Sequence, residues 1–358
     1  MANKNLNQAK SAKKDEFYTQ LADIENDLRH YKEHFKGKTV LCNCDDPRVS
    51  NFFHYFSYNF EQLGLKKLIT TCYKNQERDL FSQNNSERAI WLEYFGDKNN
   101  NRVPDPDEIG IHYFKGDGDF RSDECIELLK QADIVVTNPP FSLFREYVAQ
   151  LMKYEKKFLI IGNQNALHYK EIFPLVQQNK VWLGYNHVKE FNKPDGTLQK
   201  FGNVIWYTNL DIQKRHEDLV LYKEYSEEEY PTFDNFNAIN VNKVSEIPCD
   251  YYGYMGVPDS FIEIYNPEQF EILGRSGDTD WVLKECVFFT PPTREKCNFY
   301  KHYNNTWRIQ NVYLLDKNKL PIIVYSRIFI RRKQAKTYQQ NEIQSSVAAE
   351  PKTEYSKN

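Results

Sequence analysis

The stretch Asp133–Phe144, DIVVTNPPFSLF, leaves this chain few ways to fold. Ile134, Val135 and Val136 form a compact β-branched run, which predicts a buried strand that stops at Pro139-Pro140. Neither proline can donate a ladder hydrogen bond and each fixes its φ at about −65°. Asn138-Pro139-Pro140-Phe141 is therefore a stiff loop at the strand's carboxyl end, which in an open α/β sheet is where ligands bind. The loop offers the amide oxygen of Asn138, the carbonyl of Pro139 with no N–H on the next residue to compete for it, and the aromatic face of Phe141. Two acceptors and a ring suit a planar heterocyclic amine. A Pro-Pro turn that only caps a core strand reads the same way, so the loop's role depends on the rest of the chain.

Before and after this strand, strand-like and helix-like patterns alternate. Apolar residues at Leu21, Ile24, Leu28, Tyr31 and Phe35 predict a helix that Gly37 ends. Thr39–Cys44 reads as a strand, residues 49–63 as a helix through Val49, Phe52, Phe53, Phe56 and Phe60, and Lys67–Tyr73 as a strand. Residues 74–110 form a polar excursion with a possible hairpin; a helix at Asp123–Gln131, a helix at Leu143–Tyr154 and a strand at Lys157–Gly162 complete the series. Short connections between such elements are those of βαβ units, so a doubly wound parallel sheet is expected.

The texture changes after Gly184. The expected division is a flexible basic arm over 1–14, a catalytic domain over 15–184, a region that contacts the partner over 185–332, and a disordered tail over 333–358. Near its end the second region reads as a hairpin over 311–330 that turns at Asp316-Lys317-Asn318-Lys319. Aromatic residues make up 15% of the chain, with 25 Tyr and 24 Phe, which suggests stacking surfaces as well as core. A net charge of −3 argues against a uniformly basic nucleic-acid binder and leaves room for a local basic groove. No apolar run reaches the roughly 18 residues that span a bilayer, and a cytoplasmic protein is expected. The seven cysteines lack a CxxC pair, so Cys42 and Cys44 read as core thiols and no metal site is expected.

Asp45-Asp46-Pro47 falls where the first strand of a nucleotide-binding sheet meets its first helix, without the usual glycine-rich fingerprint. Two carboxylates repel a phosphate and suit a cation or ribose hydroxyls. S-adenosylmethionine has an ammonium and a ribose and carries no phosphate. A helix N-cap explains one of the two carboxylates and not readily both. Asp119-Phe120, in the turn before the next helix, fits adenine recognition, with the carboxylate accepting from the exocyclic amine and the ring packed on the purine; a capping Asp is the plainer alternative. Phe17-Tyr18, followed by Thr19, can cover a cofactor from the amino-terminal side or act as a hydrophobic staple.

Taken together, DEFYT at 15–19, CNCDDPRVSNFF at 42–53, GDGDFRS at 116–122 and DIVVTNPPFSLFREY at 133–147 resemble the EcoRI-type adenine-specific DNA methyltransferases. KKFLIIGN at 156–163 and NAINVNK at 237–243 are similar too. The resemblance implies a Rossmann-like methyltransferase sheet with helices on both faces, a carboxyl-terminal target-recognition region, and methyl transfer from S-adenosylmethionine to N6 of adenine in double-stranded DNA. By motif, Phe17, Tyr18, Thr19, Asp45, Asp46, Asp119 and Phe120 would hold the cofactor, and Asn138, Pro139, Pro140 and Phe141 the target base. The expected setting is a monomer in a bacterial cytoplasm, encoded by the cell or a phage, that serves a restriction-modification system without a stable complex with its nuclease.

Lys13, Lys14, Lys189, Lys193, Arg215, Arg308, Arg327 and Arg331 are the candidates for contact with DNA phosphates, against the alternative that surface cations are only solvated. Because any planar NH2 poses the same chemical problem, an exocyclic amine in RNA or a protein glutamine amide is an alternative substrate. A non-catalytic DNA-binding module is the alternative of another class.

Overall fold

The computed structural model describes residues 18–43, 50–72, 89–101, 103–193, 197–234, 236–276, 312–317 and 321–334. In chain order the strands are β1 (Tyr18–Thr19), β2 (Thr39–Asn43), β3 (Lys67–Thr71), β4 (Ile90–Tyr94), β5 (Ile109–Tyr113), β6 (Ile134–Thr137), β7 (Lys157–Asn163), β8 (Trp182–Asn192) and β9 (Leu198–Thr208). Then follow β10 (Ile239–Asn240), β11 (Tyr254–Pro258), β12 (Phe270–Arg275), β13 (Tyr313–Leu315), β14 (Pro321–Ile323) and β15 (Arg327–Arg332). The helices that matter here are α1 (Leu21–Leu28), α2 (Asn51–Tyr58), α3 (Asp123–Gln131), α4 (Phe144–Lys153) and α5 (Phe173–Gln177).

The expected Rossmann-like α/β sheet is present, with nine strands in the order β1-β8-β9-β7-β6-β2-β3-β4-β5. Only its centre is parallel. β7, β6, β2 and β3 pair in parallel, whereas β4 and β5 on one flank and β9, β8 and β1 on the other are antiparallel. The parallel sheet expected from the βαβ series is its centre; on the flanks no described helix joins β4 to β5 or β8 to β9, and without a crossover consecutive strands pair antiparallel. The division expected at 184/185 falls inside β8, since the large sheet continues to Thr208.

β6 shows why the central strands need no polar face. Ile134 and Val136 point into one core cluster with α1 and α2, and Val135 points into the other with α3 and α4. Asp133 sets the register at the strand's start. Its N–H donates to the Thr39 carbonyl at 2.9 Å and its carboxylate accepts from the Thr39 N–H at 2.8 Å. α3 begins at Ser122, whose hydroxyl accepts from the Cys125 N–H at 3.3 Å, with Asp123 and Glu124 in the first turn where the helix dipole favours them.

Two helices expected to be continuous are interrupted. α1 stops at Leu28; Asp27 and Tyr31, both fully buried, face β8, a short helical turn covers Lys32–Phe35, and Gly37 adopts a φ of 70°. The helix after β2 breaks at Asn59, whose side-chain amide donates to the Tyr55 carbonyl at 2.8 Å. Cys42 is buried, as a core thiol should be. The hairpin expected over 311–330 is shorter, β13 paired with β14, and the end of its expected second arm is β15, which carries Arg327 and Arg331 and pairs with β11 and β12.

A second sheet, β10-β11-β15-β12, packs its Met255, Val257, Ile328 and Ile330 into the same core cluster as α3 and α4. The large sheet thus has α1 and α2 on one face, and α3, α4, α5 and the small sheet on the other. Among the described residues no helix is long and apolar enough to cross a membrane.

Candidate active site

β2 leads through α2 to β3 on one side, while β6 lies on the other side of β2. The strand order therefore reverses between β2 and β6, and the crevice outside their carboxyl ends is the position where open α/β sheets bind ligands. β2 ends at Asn43 and β6 at Thr137, directly before Asn138. The Thr137 hydroxyl donates to the Asn43 carbonyl, and the Tyr147 hydroxyl of α4 donates to Asn43 Oδ1. Both bonds are buried, so the floor of the crevice is a closed polar knot in which the two strand ends and α4 hold one another.

The loop above that floor follows from its sequence. Asn138 and Pro139 are buried, Pro140 adopts φ −54° and ψ 127°, and a single 3-10 turn over Phe141–Leu143 leads into α4. The Pro140 carbonyl accepts from the Leu143 N–H at 2.9 Å. Phe141 is half-buried, and its ring meets Phe191 of β8 and Phe201 of β9 edge to face, at 6.3 and 6.0 Å.

β1 reaches the same place from the other end of the chain. Tyr18 pairs with Asn192 and Thr19 with Phe191, and Asn51 at the start of α2 donates its amide to the Thr19 carbonyl at 2.8 Å. Thr19 Oγ1 is buried without a hydrogen-bond partner among the described residues. A buried hydroxyl beside the start of α2 is the kind of group a polar ligand would satisfy.

Asp119 and Phe120 sit on the loop that passes the carboxyl end of β3. Gly118 has a φ of 76°, and a Cβ there would lie 2.4 Å from the Cys72 carbonyl, so only glycine lets the loop approach this closely. Gln150 of α4 donates to the Phe120 carbonyl at 2.8 Å, and the Phe120 ring packs edge-on against Tyr147 at 5.0 Å. The Asp119 carboxylate is gripped by Arg121, with Nε to Oδ1 at 2.9 Å and Nη2 to Oδ2 at 2.6 Å, and Arg121 Nη1 reaches Glu146 at 3.0 Å. Burial alone would raise the Asp119 pKa; the hydrogen bonds and charge of Arg121 outweigh it and hold the carboxyl below its ordinary value. It is an anion fixed in direction.

Of the expected site residues, the structure brings Thr19, Asn138, Pro139, Pro140 and Phe141 together through β8, and Asp119 and Phe120 join them through α4. Tyr18 lies beside Thr19. Phe17, Asp45 and Asp46 lie outside the described residues, as do Lys13, Lys14 and Arg308. Lys189 is exposed on β8 and Lys193 half-buried just past its end.

Two of the arginines expected on the surface are placed differently. Arg215 is buried with its guanidinium 3.7 Å above the Trp182 ring and 3.2 Å from Asn179 Oδ1. Arg327 is buried too, donating to Asn240 at 3.1 Å and to the carbonyls of Tyr325 and Ser326. Both build the interior. Arg331 is half-exposed and pairs with Glu271 across the small sheet.

Asn43, Arg121, Tyr147, Gln150, Phe191 and Phe201 did not stand out in the sequence. Asn43, Arg121 and Tyr147 lie inside the strings quoted above, but nothing local marks them. The two hairpin phenylalanines sit far along the chain from Phe141, and only the pairing of β9 with β7 brings them to it.

A family model described as the adenine-specific methyltransferase EcoRI matches residues 5–333 of the chain. The chain is 51% identical over 291 residues to the Type II methyltransferase M.EcoRI of Escherichia coli, an alignment that covers 76% of this chain and 89% of that protein. It is 40% identical over 291 residues to the Type II methyltransferase M.MgeORF184P of Mycoplasma genitalium, covering 75% and 85%. It is 39% identical over 289 residues to the Type II methyltransferase M.MpnI of Mycoplasma pneumoniae, covering 75% and 84%. No solved structure matches it significantly.

Proposed function

We propose that this chain, which belongs to the family of EcoRI-type adenine-specific methyltransferases, transfers a methyl group from S-adenosylmethionine to N6 of an adenine flipped out of double-stranded DNA. The observation that carries the reading is the proline-locked Asn138–Phe141 loop at the point where the strand order reverses between β2 and β6.

N6 of adenine cannot be reached while the base is stacked and paired, so the base must leave the duplex. Stacking on Phe141 returns about 1 to 3 kcal/mol of the unstacking cost. The amine is a weak nucleophile because its lone pair is delocalised into the ring. When the Asn138 amide oxygen and the Pro139 carbonyl accept its two hydrogens, the nitrogen is drawn toward tetrahedral geometry and the lone pair becomes available for attack. Pro140 contributes by having no N–H to compete for those acceptors, and the buried knot of Asn43, Thr137 and Tyr147 keeps the loop still while they act.

The residues around the crevice fit the proposed cofactor. The Thr19 hydroxyl is buried and lacks a partner among the described residues, the Asp119 carboxylate is ionised and fixed beside the Phe120 ring, and Gly118 keeps the loop tight. Thr19, Asp119 and Phe120 would hold it, with Asp119 accepting from its adenine amine. The bound cofactor supplies a methyl group already activated on a sulfonium, so no nucleophilic side chain is required. Lys189 and Lys193 on the β8–β9 hairpin and the exposed Arg331 of β15 are the described candidates for phosphate contact.

Single-base-resolution methylation mapping of DNA exposed to the purified protein tests the reading. N6-methyladenine at one recurring sequence, dependent on S-adenosylmethionine, is the expected result. Methylation only of RNA or of a protein amide, or of no substrate, would refute it.

A further inference from the structure

The base pocket depends on the plane of one phenyl ring, and the loop that carries the ring does not fix that plane. The two prolines set the backbone around Phe141, yet rotation of a phenyl ring about its last side-chain bond is soft. Its neighbours must hold it. The Phe141 ring stands at 86° to Phe191 and at 82° to Phe201, and those two rings meet each other at 5.5 Å and 85°. Three rings that are pairwise perpendicular form a corner, and a turn of any one of them loses its two edge-to-face contacts.

The two partners differ in kind. Phe191 is fully buried, and its backbone pairs with Thr19 of β1, which Asn51 holds in turn. Phe201 is half-buried on β9, beyond the point where β9 last pairs with β7, and nothing in the reaction described above uses it.

We propose that Phe201, seated against Phe191, is a positioning residue for methyl transfer: it fixes the ring plane of Phe141 and so sets the geometry in which the target base is received. The inference rests on Phe141 being the base-stacking residue. Phe201 acts through that ring. A base that follows a loosened Phe141 leaves the near-attack arrangement, and small displacements of this kind lower the rate of the chemical step while sparing the methyl-donor pocket.

Phe201→Leu keeps most of the volume and removes the ring, and Phe201→Tyr keeps the ring. With DNA carrying the mapped site, Phe201→Leu is expected to lower kcat about tenfold while KM for the methyl donor stays within about twofold. The fluorescence rise of 2-aminopurine at the target position falls in the same variant, and Phe201→Tyr restores both readouts. A para-fluorophenylalanine at position 141 gives a check without substrate: its fluorine resonance shifts or broadens in Phe201→Leu and not in Phe201→Tyr. If Phe201→Leu does not fold, Phe201→Met carries the same comparison. Unchanged kcat and fluorescence in the ring-less variant, or failure of Phe201→Tyr to restore them, overturns the proposal. Asn138→Ala is assayed alongside. Turnover by that variant within about threefold of the parent rate refutes the base-pocket reading itself, whereas a strongly slowed Asn138→Ala beside a fully active Phe201→Leu refutes only the role given to Phe201.

Discussion

Asp27→Asn should stabilise this protein at alkaline pH, although the change removes a charge and adds no contact. Asp27 lies on α1 with no exposure to solvent. Its Oδ1 accepts from the Asn186 N–H at 2.9 Å and from the Asn186 amide at 3.1 Å. Its Oδ2 and the Tyr31 hydroxyl both crowd the point where Gly184 would carry a Cβ, at 3.2 and 3.0 Å. Burial pushes the carboxyl up to about 7, against the lowering effect of the Asn186 bonds.

The sign follows from linkage. In the unfolded chain the group titrates near 3.8 and in the folded chain near 7, so its contribution to stability is fully present below the unfolded value. It is lost as pH rises from about 4 to 7, and is constant above that. A difference of roughly 3 pH units corresponds to about 4 kcal/mol at its upper limit. Asparagine keeps the Oδ1 acceptor and cannot ionise, so Asp27→Asn should gain about 2 to 4 kcal/mol at pH 8 and close to nothing at pH 4. Urea unfolding of the two proteins at a series of pH values measures this directly. An Asp27→Asn protein that is less stable than its parent at pH 8, or a stability difference that does not shrink on acidification, would show that burial does not raise the Asp27 carboxyl.

Two further predictions concern the site and its surroundings. Gly118→Ala combines a left-handed backbone with a Cβ 2.4 Å from the Cys72 carbonyl, so it should cost about 1 to 3 kcal/mol and displace the Asp119 carboxylate; calorimetry should show weakened binding of S-adenosylmethionine in whatever protein folds. Arg215→Ala should lower the melting temperature through loss of its contact with Trp182 and leave the salt dependence of DNA binding unchanged, while Lys189→Ala should reduce that salt slope by about one and leave melting alone.

Which parts of this molecule can be read from its sequence follows from how local each signal is. β6 and its loop are legible because a β-branched run and two prolines act on their own backbone, and α3 is legible because Ser122 caps it within one turn. The flanks of the sheet are not. β8 and the first half of β9 carry many half-exposed polar residues, and nothing near them records that they extend the sheet beyond β7. The same limit hides the corner formed by Phe141, Phe191 and Phe201, which exists only through long-range pairing. Arg215 reads as a surface cation because the ring that encloses it, Trp182, approaches from another element. Asn43 reads as one more strand residue, and its two buried bonds come from β6 and α4.

The account rests on two oxygens of the Asn138-Pro139 pair drawing on the amine of an extruded adenine. Single-turnover methyl transfer by Asn138→Ala, measured on DNA carrying the mapped site with the cofactor saturating, tests it most directly. Removing one of the two acceptors should slow the chemical step about 100- to 1,000-fold, with S-adenosylmethionine bound as tightly as before. A rate within about threefold of the parent protein would contradict the account.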